Sequence, residues 1–287
     1  MDDSMNEQKR RLLTGTALLG GIAAAGAMGA SLAPREAAAQ ILDSGVDPNS
    51  VLAKLRKGAT LKVGYSQTPV WFYRDPRNNE LQGIYKELVD ALMRDLEMTV
   101  DWVEVSFANA TVGLRRGDFD LYGSSLTYTV PRALVSNYVG PLWSKGSLAI
   151  VHKDDAQRFR TVADLNSPDV TFSVSAGASE EQRMPVLFPR ARFQAVTGQQ
   201  VLAAEPVRTK RATVYVTGDS DALALAQRNQ NWAHVIDPQN PFDKRPNTWA
   251  VRYGDNPWKQ FLDMWGAYMT VSGQTQRLYD RYISQLT

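Results

Sequence analysis

Gly117-Asp118-Phe119-Asp120-Leu121-Tyr122-Gly123-Ser124-Ser125-Leu126-Thr127-Tyr128-Thr129-Val130-Pro131-Arg132 holds the key to the architecture. The apolar run Phe119–Tyr122 reads as a short strand. Small polar residues follow at once. Thr129 can then cap a helical turn that carries Pro131 in its first turn. A junction of this kind brings Thr127 and Arg132 to the same side. A guanidinium offers two parallel N–H donors, which match a carboxylate. The competing reading of Arg132 is a surface cation near a helix start.

Outward from this junction, strand-like and helix-like segments alternate. Leu61–Tyr65 alternates with period two, and Gly83–Leu96 carries a helical stripe of Ile84, Leu88, Ala91, Leu92 and Leu96. Strands are expected at Thr99–Val105, Leu148–Val151, Val170–Val174, Ala212–Thr217, Ala233–Ile236 and Thr248–Arg252. Helices are expected at Asn109–Arg116, Ser179–Leu187, Ser220–Asn229, Pro257–Ser272 and Gln274–Gln285, with Pro185 able to end the second of these early. This alternation implies α/β layers with largely parallel sheets. Two Pro-rich segments, Pro141–Ser147 and Asp237–Asn247, read as crossovers between lobes.

Ligands of α/β sheets sit where strands end, and two further junctions have suitable residues. In Ser175–Gln182, Ser179 and Gln182 form a capping-box pattern, Gly177 permits close backbone approach, and the helix start offers free N–H groups to an anion. In Val216–Asp221, Asp219 stands at the strand end. It can face a cation or simply favour the helix start.

The chain has 287 residues, no Cys, two His, 32 Lys+Arg and 30 Asp+Glu, for a net charge of +2. That length allows one large or two small domains. The absence of Cys excludes disulfides and thiolate metal sites, and two isolated His make no zinc site. Neither His152 nor His234 stands beside a nucleophile. Dinucleotide and NTP fingerprints are missing, and the charge gives no reason to expect nucleic acid. No cofactor or metal is expected. Residues 1–39 read as a cleavable export signal: Lys9-Arg10-Arg11, an uncharged stretch from Leu12 to Pro34, then Ala37-Ala38-Ala39. The paired arginines resemble a twin-arginine signal. Its removal would place the chain in the periplasm.

The order of these segments resembles the extracellular solute-binding proteins of family 3, the amino-acid receptors of ABC importers. The resemblance runs from Leu61 to Leu286 and rests on Arg74-Asp75-Pro76, Glu80-Leu81-Gln82-Gly83, Gly117-Asp118-Phe119-Asp120, Ser125-Leu126-Thr127-Tyr128-Thr129-Val130-Pro131-Arg132, Gly177-Ala178-Ser179 and Asp219. It implies a two-lobe periplasmic-binding-protein fold (type II), each lobe a mostly parallel sheet flanked by helices, with a hinge. Residues 40–59 would be an N-terminal extension, 60–146 with 246–287 the first lobe, and 147–245 the second. The resemblance assigns the ligand's carboxylate to Arg132 and Thr127 within the Ser125 motif, further contacts to Gly177 and Ser179, and the ammonium to Asp219. Thr68 stands where the family places an aromatic residue, so Trp71 or Phe107 would supply the apolar contact, and Ala178 replaces a hydroxyl residue.

The function so implied is capture of a small carboxylate-bearing solute, first of all an amino acid, by a monomer that delivers it to an ABC permease in the inner membrane. Two other readings stand beside it. One is an enzyme similar to cyclohexadienyl dehydratase, for which Glu104, Asp219 and Asp221 are the candidate acids. The other is an accessory or sensor protein, such as a partner of a quinoprotein dehydrogenase.

Overall fold

The computed structural model describes residues 45–284. The export signal expected at 1–39 lies outside the described residues. All elements named here belong to one compact unit, Asn49–Thr287. In chain order they are α1 (Val51–Arg56), β1 (Leu61–Tyr65), β2 (Tyr73–Arg74), β3 (Leu81–Gln82), α2 (Ile84–Leu96), β4 (Val100–Glu104), α3 (Phe107–Arg116), β5 (Leu121–Thr127), α4 (Val130–Ala133), β6 (Ser136–Tyr138) and β7 (Trp143–His152). There follow β8 (Thr171–Ser175), α5 (Ser179–Leu187), β9 (Arg192–Val196), α6 (Glu205–Arg208), β10 (Val214–Gly218), α7 (Asp219–Arg228), β11 (Ala233–Ile236), β12 (Phe242–Arg252), α8 (Asn256–Val271) and α9 (Gln274–Ile283).

Ten of the described strands form one curled sheet in the order β4-β1-β5-β12-β7-β10-β8-β9, with β11 beside β7 and β6 beside β12. Its two ends are parallel: β1 pairs with β4 and β5, and β8 with β9 and β10. Its middle is antiparallel, because β12 and β7 run from one half of the sheet to the other. The start of β12 pairs with the start of β7 (Arg245 opposite Lys145, Asn247 opposite Trp143). Beyond that crossing, β12 pairs with β5 and β7 with β10. The two segments read from sequence as crossovers are thus a matched pair of strands. The hydrogen-bonded ladder restrains each through the other.

Helices cover the sheet with their apolar stripes. α2 buries Ile84, Leu88, Val89 and Leu92 against Leu61, Val63, Trp249 and Trp258. In the other half, Phe172, Val174, Val214 and Val216 pack with Met184 and Phe188. Pro185 does not end α5, which continues to Leu187. The strand read as Phe119–Tyr122 begins two residues later and extends to Thr127, so Ser125 and Thr127 are strand residues and do not belong to the junction after it.

One carboxylate ties the N-terminal helix to the rest. Asp255 accepts hydrogen bonds from Ser50 Oγ at 2.6 Å, Val51 N at 2.9 Å and Trp258 N at 3.3 Å. It therefore caps α8 and satisfies a free N–H at the start of α1, both of which helix starts otherwise leave open. Asp255→Ala is expected to destabilise the protein by about 2 kcal/mol, the upper range for a lost cap. Asp255→Asn, which keeps an acceptor, should cost less; urea denaturation of both variants checks this.

Candidate functional site

The junction at Arg132 has the expected helical turn after the strand but not the expected cap bond. Thr129 is the N-cap residue of the one-turn α4 with Pro131 in its first turn, although the Thr129 hydroxyl makes no capping bond and is buried without a partner. The short turn folds Arg132 back over the end of β5, where it is 6% exposed. Its guanidinium donates to the main-chain oxygen of Thr127 at 3.0 Å and, across the seam between the sheet halves, to the main-chain oxygen of Gly177. Gly177 has φ +76°, and a Cβ there would lie 2.4 Å from the backbone nitrogen of Ala108 on α3. Only glycine permits both the left-handed turn and the approach of the two halves.

Thr127 meets Arg132 through its carbonyl, because its hydroxyl accepts from Asn247 Nδ2 at 3.1 Å. Asn247, fully buried on β12, also bonds Ser125 and accepts from Tyr85 Oη at 2.8 Å. Ser179 is the first residue of α5, not its cap. The cap position is Ala178, and the Ser179 hydroxyl donates to Glu180 at 3.0 Å. Gly177 N donates instead to Glu181 Oε2 at 2.7 Å.

Asp219 stands where the strand meets the helix, just past Gly218 at the first residue of α7, and its carboxylate accepts from Gly146 N at 3.0 Å and Ser220 N at 2.7 Å, so it meets backbone N–H groups and, among the described residues, no cation. Two residues further on, Asp221, 1% exposed, takes the Lys145 ammonium from β7. Burial pushes the Asp221 carboxyl up to about 6, against the opposing pull of Lys145. The Lys145 Nζ also lies 4.9 Å from the centroid of the Trp71 ring and 3.5 Å from Ser125 Oγ. Trp71 is held by a 2.7 Å bond from its Nε1 to Ser220 Oγ.

A cavity of about 20 Å³ lies at the centre of this cluster, room for roughly one water. Of the residues expected to touch a ligand, Thr68, Phe107, Ser125, Thr127, Arg132 and Ser179 line it; Trp71, Gly177 and Asp219 do not. Trp71 instead backs Lys145. The lining adds Lys145, Glu180, Gln200 and Gly218, none of which the sequence singled out. Larger hollows adjoin it along the seam. One of about 240 Å³ shares Phe107 and Gln200 with the central cavity, and one of about 550 Å³ shares Thr68. Among the described residues there is no cluster of three or more metal-ligating side chains and no helix long and apolar enough to cross a membrane.

The family model of the bacterial extracellular solute-binding proteins, family 3, matches residues 61–285. The chain belongs to that family. A solved structure described as an ancestral amino-acid-binding protein, a precursor of cyclohexadienyl dehydratase, is 27% identical with a TM-score of 0.73, over 82% of this chain and all of that one. A binding component of an ABC transporter from Wolinella succinogenes, complexed with lysine, is 23% identical with a TM-score of 0.71, over 78% of this chain and 95% of that one. An ABC transporter substrate-binding protein from Streptococcus pneumoniae bound to L-arginine is 18% identical with a TM-score of 0.73, over 82% and 99%. The latter two similarities bear on the fold alone. Among curated proteins, a membrane-bound lytic murein transglycosylase F of Desulfosudis oleivorans is 26% identical over 222 residues. This family-3 chain spans 45% of the length of that relative. Its fold is that of the two-lobe periplasmic binding proteins, as the sequence implied.

Breaking a buried ion pair from one side leaves an uncompensated charge, whereas replacing both partners with apolar groups is often close to neutral. Asp221→Ala is therefore expected to destabilise this family-3 protein by about 3–5 kcal/mol. The paired replacement Lys145→Met with Asp221→Leu should recover most of that loss. Chemical denaturation of the two variants at pH 7.5 measures the difference.

Proposed function

We propose that this chain is a periplasmic receptor that captures a small carboxylate-bearing solute between two lobes and hands it to an ABC permease. The carrying observation is Arg132, a buried guanidinium at the seam that has main-chain carbonyls but no carboxylate as partners. A carboxylate entering there would replace a neutral acceptor with a charged one, which forms the stronger bond. Ser125, Thr127 and Ser179 add hydroxyls on the same cavity wall.

In this reading, residues 60–146 with 246–287 form one lobe and 147–245 the other, and the export signal ends near Ala39. The paired strands β7 and β12 are the hinge. A cavity of about 20 Å³ is too small for a solute, so binding requires the lobes to part and close again. The protein acts as a monomer, and nothing is made or broken.

The site gives less support to an enzyme, which needs a proton donor against its substrate. Asp221 is held by Lys145, Asp219 by two backbone N–H groups, and Glu104 by Tyr65 and Gln67. None of these three lines the central cavity; Glu180, whose Oε2 accepts from the Ser179 hydroxyl, is the acid that does. Incubation with prephenate or arogenate is expected to yield no aromatic product.

A solute at 100 times its Kd should stabilise the protein by about 2.7 kcal/mol in a thermal-shift assay. Arg132→Ala should weaken binding by about 30-fold or more, the usual effect of removing one side of a buried charged contact, and leave the circular dichroism spectrum unchanged. Unaltered affinity in that variant would remove Arg132 from the site.

A further inference from the structure

We infer that the solute is a carboxylate without an ammonium group, because the protein supplies that cation itself through Lys145. This inference rests on the receptor reading above and narrows its ligand class. The Lys145 ammonium lies in a cage formed by the Asp221 carboxylate, the face of Trp71 at 4.9 Å and the Ser125 hydroxyl at 3.5 Å. A carboxylate, an aromatic face and a hydroxyl are the groups that a ligand ammonium would need. The lysine end packs directly on Gly218: a Cβ there would lie 1.9 Å from Lys145 Cε, so a larger residue at the end of β10 would require the lysine end to shift.

Among the described residues, the cations Lys145, Arg132, Arg183 and Arg245 stand with the carboxylates Asp221, Asp219, Asp243 and Glu180, and Arg132 is the cation that no carboxylate contacts. Lys145 is matched by Asp221. Arg183 and Arg245 share Asp243, and Arg245 also lies in the field of Glu180, which accepts the Ser179 hydroxyl. Asp219 is satisfied by the N–H groups of Gly146 and Ser220. Arg132 is left with neutral carbonyls alone. A carboxylate entering beside Arg132 would give it the charged acceptor that the other three cations already have. A zwitterion would bring a second cation to a cage already filled by a tethered one, whose effective concentration no free solute matches.

The test uses matched acids that differ only in the amino group: succinate and aspartate, glutarate and glutamate, propionate and alanine, 3-phenylpropionate and phenylalanine. Each is titrated calorimetrically into the full chain as purified and into its Lys145→Ala variant. The wild type should bind at least one deaminated acid tenfold or more tightly than its amino partner. In Lys145→Ala, which empties the cage and frees Asp221, that ratio should fall or reverse. Parity or a preference for the amino acid in every pair that binds the wild type overturns the inference, and so does a ratio unchanged by the substitution. If the variant does not fold, the wild-type ratios decide. Failure of every acid of both series to bind the wild type would overturn the receptor reading itself, and this inference with it.

Discussion

A charge taken out of water has to be matched where it lies, and Arg132, Lys145 and Arg245 all converge on the seam of this molecule. The rest of the site can be understood as a response to that demand. Asp221 is placed by the first turn of α7 to take Lys145, although burial alone would favour its neutral form. Asp243, on the second residue of β12, takes both Arg245 and Arg183. Arg132 receives two main-chain carbonyls, one from each side of the seam, so its direction is fixed while its charge is left open. The site is therefore organised before any solute arrives, with one electrostatic demand unmet.

The strand–helix alternation was legible because most elements bury one clean face: β1, α2, β8 and β10 carry apolar residues at the spacing their conformation requires. The elements that escaped notice lack that face. β9 is a partly exposed edge strand, and β2 and β3 are two residues each. β7 shows only its second half in the sequence. Its first half, Trp143-Ser144-Lys145-Gly146-Ser147, reads as a turn because its partner on one side is the distant start of β12. β12 likewise shows its second half, Thr248–Arg252, while Pro246 hides its first.

The candidate site was legible in the part that β5 and α4 carry, for a related reason. Ser125, Thr127 and Arg132 follow one another within eight residues, so local geometry suffices to bring them together. The part across the seam depends on where a helix begins, and a shift of one or two residues changes the chemistry. Ser179 proved to be inside its helix, and the acid that takes Lys145 proved to be Asp221, with Asp219 turned toward backbone N–H groups. Lys145 gave no local signal at all, since a lysine between serine and glycine usually faces water. Its burial follows from the pairing of Lys145 with Arg245 across β7 and β12, a tertiary fact.

Gly218 and Lys145 also constrain how this seam can vary. The two positions are coupled: a side chain at 218 makes the end of Lys145 move, and a shortened residue 145 strands Asp221. A substitution at either position therefore changes what the other holds in place, and the two are best regarded as one unit of the seam.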